Sequence, residues 1–180
     1  KMGVWEGKRY TLVSSENFDD FMKKLGVGLI TRKAANAVTP TVELKQDGGN
    51  YVLVTSSTFK TTEVKFTPGE EFDEERADGA KVKSVCTFEG NNVLKHVQKS
   101  DDGLEVTYIR TFSPEEMKAV SKQYYRLSSS LVTEHRSLLL RRPRGPRAYL
   151  FHHAAKRYEL VEEGCRSYIV GYLISRKSRR

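Results

Sequence analysis

Cysteine is scarce: the 180 residues hold two, Cys86 and Cys165, so no disulfide framework can be built and a reducing compartment is expected. Long apolar runs are missing as well. The longest near-apolar stretch, about Tyr168 to Ile174, is far short of the roughly 20 residues that a spanning helix needs. The opening residues, Lys1 to Glu6, contain no apolar run of signal-peptide length, and the cytosol is the expected address. There is no Gly-rich phosphate loop and no grouping of Ser, His and Asp. The four histidines do not gather at metal spacing either: His96 sits in a strand-like segment, His135 lies in an irregular tail, and His152-His153 has no Cys ligand nearby. No catalysis, metal or cofactor is expected, and the motifs suit binding and release.

What is present is the composition of a soluble globular chain, 38% hydrophobic and 30% charged. The net charge of +8 would suggest a nucleic-acid partner if it were spread evenly. It is not. Residues 1–120 carry 17 Lys and Arg against 19 Asp and Glu, a net of −2, while residues 121–180 carry 14 against 4, a net of +10. The basicity belongs to the last third, and such asymmetry marks segments of different role or origin.

Along the chain, Trp5 to Val13 has the aromatic and β-branched content of a first strand. Phe18, Phe21, Met22 and Leu25 then recur at helical spacing after the capping residues Ser14 to Asn17, and Gly26 fits the position just past the helix end. A second short helix is expected over Leu29 to Val38, with Leu29, Ile30, Ala34 and Val38 toward a partner surface and Arg32 and Lys33 in water; Pro40 ends it. Beyond Pro40 the turn signals Asp47-Gly48-Gly49-Asn50, Pro68-Gly69, Asp78-Gly79, Gly90-Asn91-Asn92, Asp102-Gly103 and Ser113-Pro114 punctuate short alternating segments. Hairpins without intervening helices make an antiparallel meander, and curling into an up-and-down barrel hides its edges. The inward faces are not wholly apolar: Val82, Ser84, Cys86 and Phe88 share one, and Thr55, Ser57 and Gln98 interrupt others. Unpaired polar groups are costly in a packed core, so these faces favour an enclosed, wet cavity.

Arg110 is the foremost binding candidate. Leu104, Val106, Tyr108, Arg110 and Phe112 share one strand face, because strand side chains alternate with period two. An arginine on an apolar face needs an anionic partner, and a carboxylate matches the guanidinium fork. The alternatives at this point are an internal salt bridge or an outward-facing strand. For Phe18, Met22 and Leu25 the simplest reading is that helical-period apolar residues pack the helix onto the barrel rim.

Three stretches resemble the fatty-acid-binding proteins, a branch of the intracellular lipid-binding proteins. They are Gly3-Val4-Trp5 through the run Ser15 to Gly28; Arg32-Lys33-Ala34 followed by Pro40; and Thr55 to Glu63 followed by Phe66, Gly69, Phe72 and Ala77-Asp78-Gly79. The match runs from residue 3 to about 120. The resemblance implies an all-β fold, a ten-stranded antiparallel barrel slightly open between two neighbouring strands, with the helix-turn-helix pair as a lid. It implies a long-chain fatty acid in the interior, with Arg110 as a carboxylate anchor. Phe18 and Met22 would then face the cavity, Phe59 would gate the portal, and Pro40, Thr55, Ala77, Asp78 and Gln98 would line the entry or interior. Lys23, Lys24, Arg32 and Lys33 would be a solvated helix face, or would dock transiently to anionic membrane. A monomer without specific nucleic-acid binding is expected.

The last third departs from that pattern. The family brings an Arg-x-Tyr pair beside the arginine on its final strand, roughly twenty residues on, and none follows here at that distance. Two later matches exist, Arg147-Ala148-Tyr149 and Arg166-Ser167-Tyr168, of which the second could start a strand. Residues 1–120 are therefore read as the lipid-binding barrel with its lid. Residues 121–180 are read as a divergent basic segment that either supplies the closing strand or is irregular. Its abrupt start suggests an alternative exon, a retained intron or a shifted frame. Two further functional readings stand beside the carrier: a basic arm that attaches to nucleic acid or anionic membrane, or a variant whose barrel never closes and binds nothing.

Overall fold

The computed structural model describes residues 3–126 and 165–177. Arg147, Tyr149, His135, His152, His153 and most of the basic tail lie outside the described residues. The elements run β1 (Arg9–Glu16), α1 (Phe18–Lys24), α2 (Leu29–Asn36), β2 (Thr41–Asp47), β3 (Asn50–Ser56), β4 (Thr61–Phe66), β5 (Glu71–Glu75), β6 (Lys81–Glu89), β7 (Val93–Lys99), β8 (Leu104–Phe112), β9 (Glu116–Arg126) and β10 (Cys165–Lys177).

All ten strands belong to one antiparallel sheet in the order β4-β3-β2-β1-β10-β9-β8-β7-β6-β5. Apart from β5, which does not pair with β4, each strand neighbours its predecessor in sequence, and the non-sequential pairing is that of β10 with β1. Strand β10 lies between β1 and β9: Tyr10 pairs with Lys177, and Ser167 with Tyr124. The strand that joins the two ends of the meander is thus drawn from residues 165–177, across a long connection from Arg126. Strands β4 and β5 are the two ends of the order and do not pair. Phe66 and Phe72 stack across that opening, 6.4 Å between ring centroids. The result is the up-and-down barrel, open at one seam, that the turn signals predict.

Two apolar clusters occupy opposite ends of β8. Near Phe112, Trp5, Tyr10, Leu44, Leu53, Phe66, Leu94 and Met117 fill one end. The first strand begins at Arg9 rather than at Trp5, because Trp5 is in a turn closed by hydrogen bonds from Glu6 to Gly3 and from Lys8 to Trp5. That turn folds the indole inward against Tyr51 and Phe88. Near Leu104, the α1 residues Phe21, Met22 and Leu25 pack with Val27 on Leu104 and Val106. Gly26 stands just past the α1 C-cap with φ +84, a conformation that favours glycine. Each fully buried aliphatic or aromatic side chain here contributes about 1.5–3 kcal/mol.

Helix α2 corrects the sequence reading. It buries no residue, and Leu29 and Ile30 point to solvent at 56% and 86% exposure. The face turned to α1 is instead largely polar, with the half-buried Ala35 as its apolar contact with the α1 cluster. Arg32 donates from Nη1 to the Val27 carbonyl at 2.8 Å and from Nε to Asp19 at 3.2 Å, and Asn36 donates to the same Asp19 oxygen at 3.0 Å. Periodicity locates an apolar stripe but assumes that a partner surface exists for it; here a carboxylate on α1 fixes the seating.

Candidate functional site

Between the two apolar clusters the barrel wall turns polar, and its register explains why. Arg110 on β8 stands beside Leu94 on β7 and Ala119 on β9. Two residues along, Tyr108 stands beside His96 and Ser121, and the next level brings Val106 beside Gln98 and Gln123. Across β6 and β7, Cys86 pairs with His96 and Ser84 with Gln98. Period-two alternation turns all of these to the same side, and Ser84, His96, Gln98, Ser121 and Gln123 are buried.

Arg110 lies at the floor of this zone. The residue as a whole is half-buried. Its Nη1 is buried with no hydrogen-bond partner among the described residues. The guanidinium carbon sits 5.4 Å from the centroid of the Tyr108 ring, a cation–π contact. Burial pushes the Arg110 pKa below its ordinary value, opposed by Tyr108, Cys86 and Glu74. A guanidinium remains charged even so. The same burial lifts the Tyr108 hydroxyl and the Cys86 thiol to about 12 each, so neither offers an anion to Arg110.

The anion nearest this zone is Glu74, and it is already engaged. Its Oε2 accepts from Ser84 Oγ at 2.8 Å and from His96 Nε2 at 2.8 Å. Burial alone would raise the Glu74 pKa; hydrogen bonding from His96, Gln98 and Ser84 outweighs it and holds the carboxyl below its ordinary value. The His96 ring lies between Phe72 and Tyr108, at 6.2 and 5.6 Å. Neither Glu74 nor His96 stood out in the sequence as a site residue. Glu74 is hidden in the acidic run Glu70 to Glu75, and only its alternate position with Phe72 on β5 marks it as inward. His96 could have been found from Gln98, which shares its face two residues on.

The remaining predicted residues divide by place. Gln98 and Thr55 are on strands, Gln98 buried and Thr55 half-buried opposite Val42 and Thr62. Met22 is buried in the cluster that joins α1 to the barrel, with the half-buried Phe18 packed against it, so both rest on the rim. Gln123 pins the same helix by donating to the Phe21 carbonyl at 3.1 Å. Phe59 is 79% exposed in the turn between β3 and β4, and Pro40 is half-buried ahead of β2, its carbonyl accepting from Leu12. Ala77 is exposed, while Asp78 is bound by the buried Arg76 through two hydrogen bonds of 2.7 and 2.9 Å. That fork, together with an Arg76 bond to Ser100, ties the β5–β6 turn to the β7–β8 turn at the lid end.

Strand β10 does not bring its Arg-x-Tyr beside Arg110. Arg166 pairs with Tyr125 and Tyr168 with Gln123, whereas the level of Arg110 and Ala119 is met by Leu173. Among the described residues no group of His, Cys, Asp and Glu could hold a metal. A separate groove of about 520 Å³ lies between the β2–β3 and β4–β5 turns and contains none of the predicted binding residues.

Known proteins share this fold. A fatty acid-binding protein of Tyrophagus putrescentiae is 52% identical over 106 residues, 59% of this chain and 79% of that one. The fatty acid-binding protein from brain tissue of Drosophila melanogaster superposes with a TM-score of 0.62 at 48% identity, covering 65% of this chain and 89% of that structure. A fatty acid binding protein of Schistosoma mansoni, solved with arachidonic acid, superposes with a TM-score of 0.62 at 37% identity over 71% of this chain and 98% of that structure. With the family model matching residues 6–127, the chain belongs to the lipocalin / cytosolic fatty-acid binding protein family.

Proposed function

We propose that this chain binds a long-chain fatty acid inside the barrel and carries it through the cytosol, with Arg110 receiving the carboxylate. The observation that carries the reading is the half-buried Arg110 whose buried Nη1 has no partner among the described residues. An unpaired buried cation is costly, and a carboxylate offers two acceptors in the geometry of the guanidinium fork. The arachidonic acid held by the Schistosoma mansoni relative supports the same ligand class. Among the described residues the register sets Leu94 and Ala119 beside Arg110 and no second arginine, which suits one carboxylate and a chain running toward the lid.

Titration of the full chain with a fluorescent fatty acid, alongside Arg110→Ala, tests the proposal. Saturable binding that weakens in the variant supports it; equal binding by both places the carboxylate elsewhere. Transfer to membranes fits the lid surface. Leu29, Ile30 and Phe59 are exposed, as are Lys33 on the same helix as Leu29 and Ile30, Lys60 next to Phe59, and Lys23 on α1, and each cation near an anionic bilayer is worth about 1 kcal/mol. Ligand transfer to anionic vesicles should then slow in Ile30→Ser and in high salt. Transfer that ignores both changes would remove membrane contact from the account.

A further inference from the structure

We infer that the cavity prefers a fatty acid carrying a mid-chain hydroxyl group over its plain counterpart. The inference rests on the carrier reading above. It follows from an inventory of polar atoms that Arg110 does not explain. Among the described residues, His96 Nδ1 and Gln98 Oε1 are buried and have no hydrogen-bond partner. Both side chains are almost wholly buried, at 2% and 3% exposure, and they share the inward face of β7.

His96 presents Nε2 to the Glu74 carboxylate at 2.8 Å, which leaves Nδ1 on the other side of the ring without a partner. Gln98 Oε1, an acceptor, lacks one as well. A hydroxyl both donates and accepts and can serve either atom, whereas an alkyl chain can do neither.

Position agrees with chemistry. His96 pairs with Tyr108, and Arg110 is the next inward residue beyond Tyr108, a diagonal of about 7–8 Å between backbones. Gln98 lies one further inward position toward the lid, about 6.6 Å along the strand. A carboxylate on Arg110 therefore sends its chain past both atoms well before the chain reaches α1. A hydroxyl near the middle of the chain comes to one or the other; one at the far end reaches neither.

The test compares ricinoleic acid with oleic acid, which differ by one mid-chain hydroxyl, through displacement of a fluorescent fatty acid from the full chain. Pairing one buried, unpartnered polar atom predicts about threefold to tenfold tighter binding of ricinoleic acid. The ratio of the two affinities should fall toward one in His96→Phe, which keeps the ring between Phe72 and Tyr108, and in Gln98→Met. Equal affinities in the unaltered chain would overturn the inference alone, since ordered water would then satisfy both atoms. A preference that persists undiminished in both variants would overturn the assignment of the site. A preference as large for a far-end hydroxylated acid over its own plain parent would do the same. Failure of both acids to bind would overturn the carrier reading and the inference with it.

Discussion

Replacing Arg110 by leucine should make the empty protein more stable and a poorer carrier at once. In the empty barrel the guanidinium Nη1 is buried and lacks a hydrogen-bond partner among the described residues, and Tyr108 provides only a cation–π contact. The effective cost of burying one ion is several kcal/mol, against at most about 2 kcal/mol returned by the ring. Leucine removes the charge and fills space beside Leu94 and Ala119 with apolar atoms. A net gain of about 1–3 kcal/mol follows, which for a chain of this size corresponds to a Tm rise of about 2–12 °C. The same change removes a charge-assisted hydrogen bond to the ligand, worth about 1.5–3 kcal/mol, and so weakens fatty-acid binding by about tenfold to 150-fold. Differential scanning calorimetry with and without saturating oleate reads both effects. The unaltered chain should gain stability from oleate, and Arg110→Leu should start higher and gain little. A variant that melts lower than the parent, or gains as much from oleate, would refute the claim that Arg110 awaits an anion.

Other parts of the structure give expectations of their own. Asp19→Ala removes the one carboxylate that seats Arg32 and Asn36 and leaves α2 held chiefly by Ala35 and the Arg32 bond to Val27, so amide exchange across residues 29–36 should accelerate while global stability changes by at most about 1 kcal/mol. Arg76→Leu takes the fork from the half-buried Asp78, which keeps only the Ala80 N–H, and should cost about 1.5–3 kcal/mol in chemical denaturation, with much of the loss restored by adding Asp78→Leu. Stability should also fall in acid. The Glu74 and Asp78 carboxyls are held below their ordinary values of 4.5 and 3.8 in the folded state, so the unfolded chain binds protons first as the pH drops. Their contribution is complete above those values and is lost as pH falls through the lower folded values. Glu74→Gln combined with Asp78→Asn should flatten that part of a urea-denaturation profile against pH.

The parts of this fold that could be read from the sequence are those decided by local geometry. Strand β8 has the bounds Leu104–Phe112 that alternation marks out, and Arg110 faces the interior because Val106 and Phe112 do. Turn glycines and the stop at Gly26 are equally local, since few other residues adopt those backbone angles. What could not be read depends on partners distant in the chain. Nothing within α2 says that Asp19, thirteen residues before Arg32, will seat its polar face. Trp5 reads as a strand residue until the barrel end it plugs exists. Glu74 reads as surface charge until Ser84 and His96 converge on it. For β10, a three-residue Arg-x-Tyr pattern carries too little information to fix register, and the register places Arg166 and Tyr168 at the Tyr125 and Gln123 levels, away from Arg110.

The most direct test of the account is carbon NMR of carboxyl-labelled oleate bound to the full chain, followed through a pH titration. A carboxylate beside Arg110 should stay ionised well below the unperturbed carboxylate range of about 4, and should return toward that range in Arg110→Leu. A bound carboxyl that titrates in the ordinary range in both proteins would contradict the account, because the ligand's charge would then lie outside the reach of Arg110.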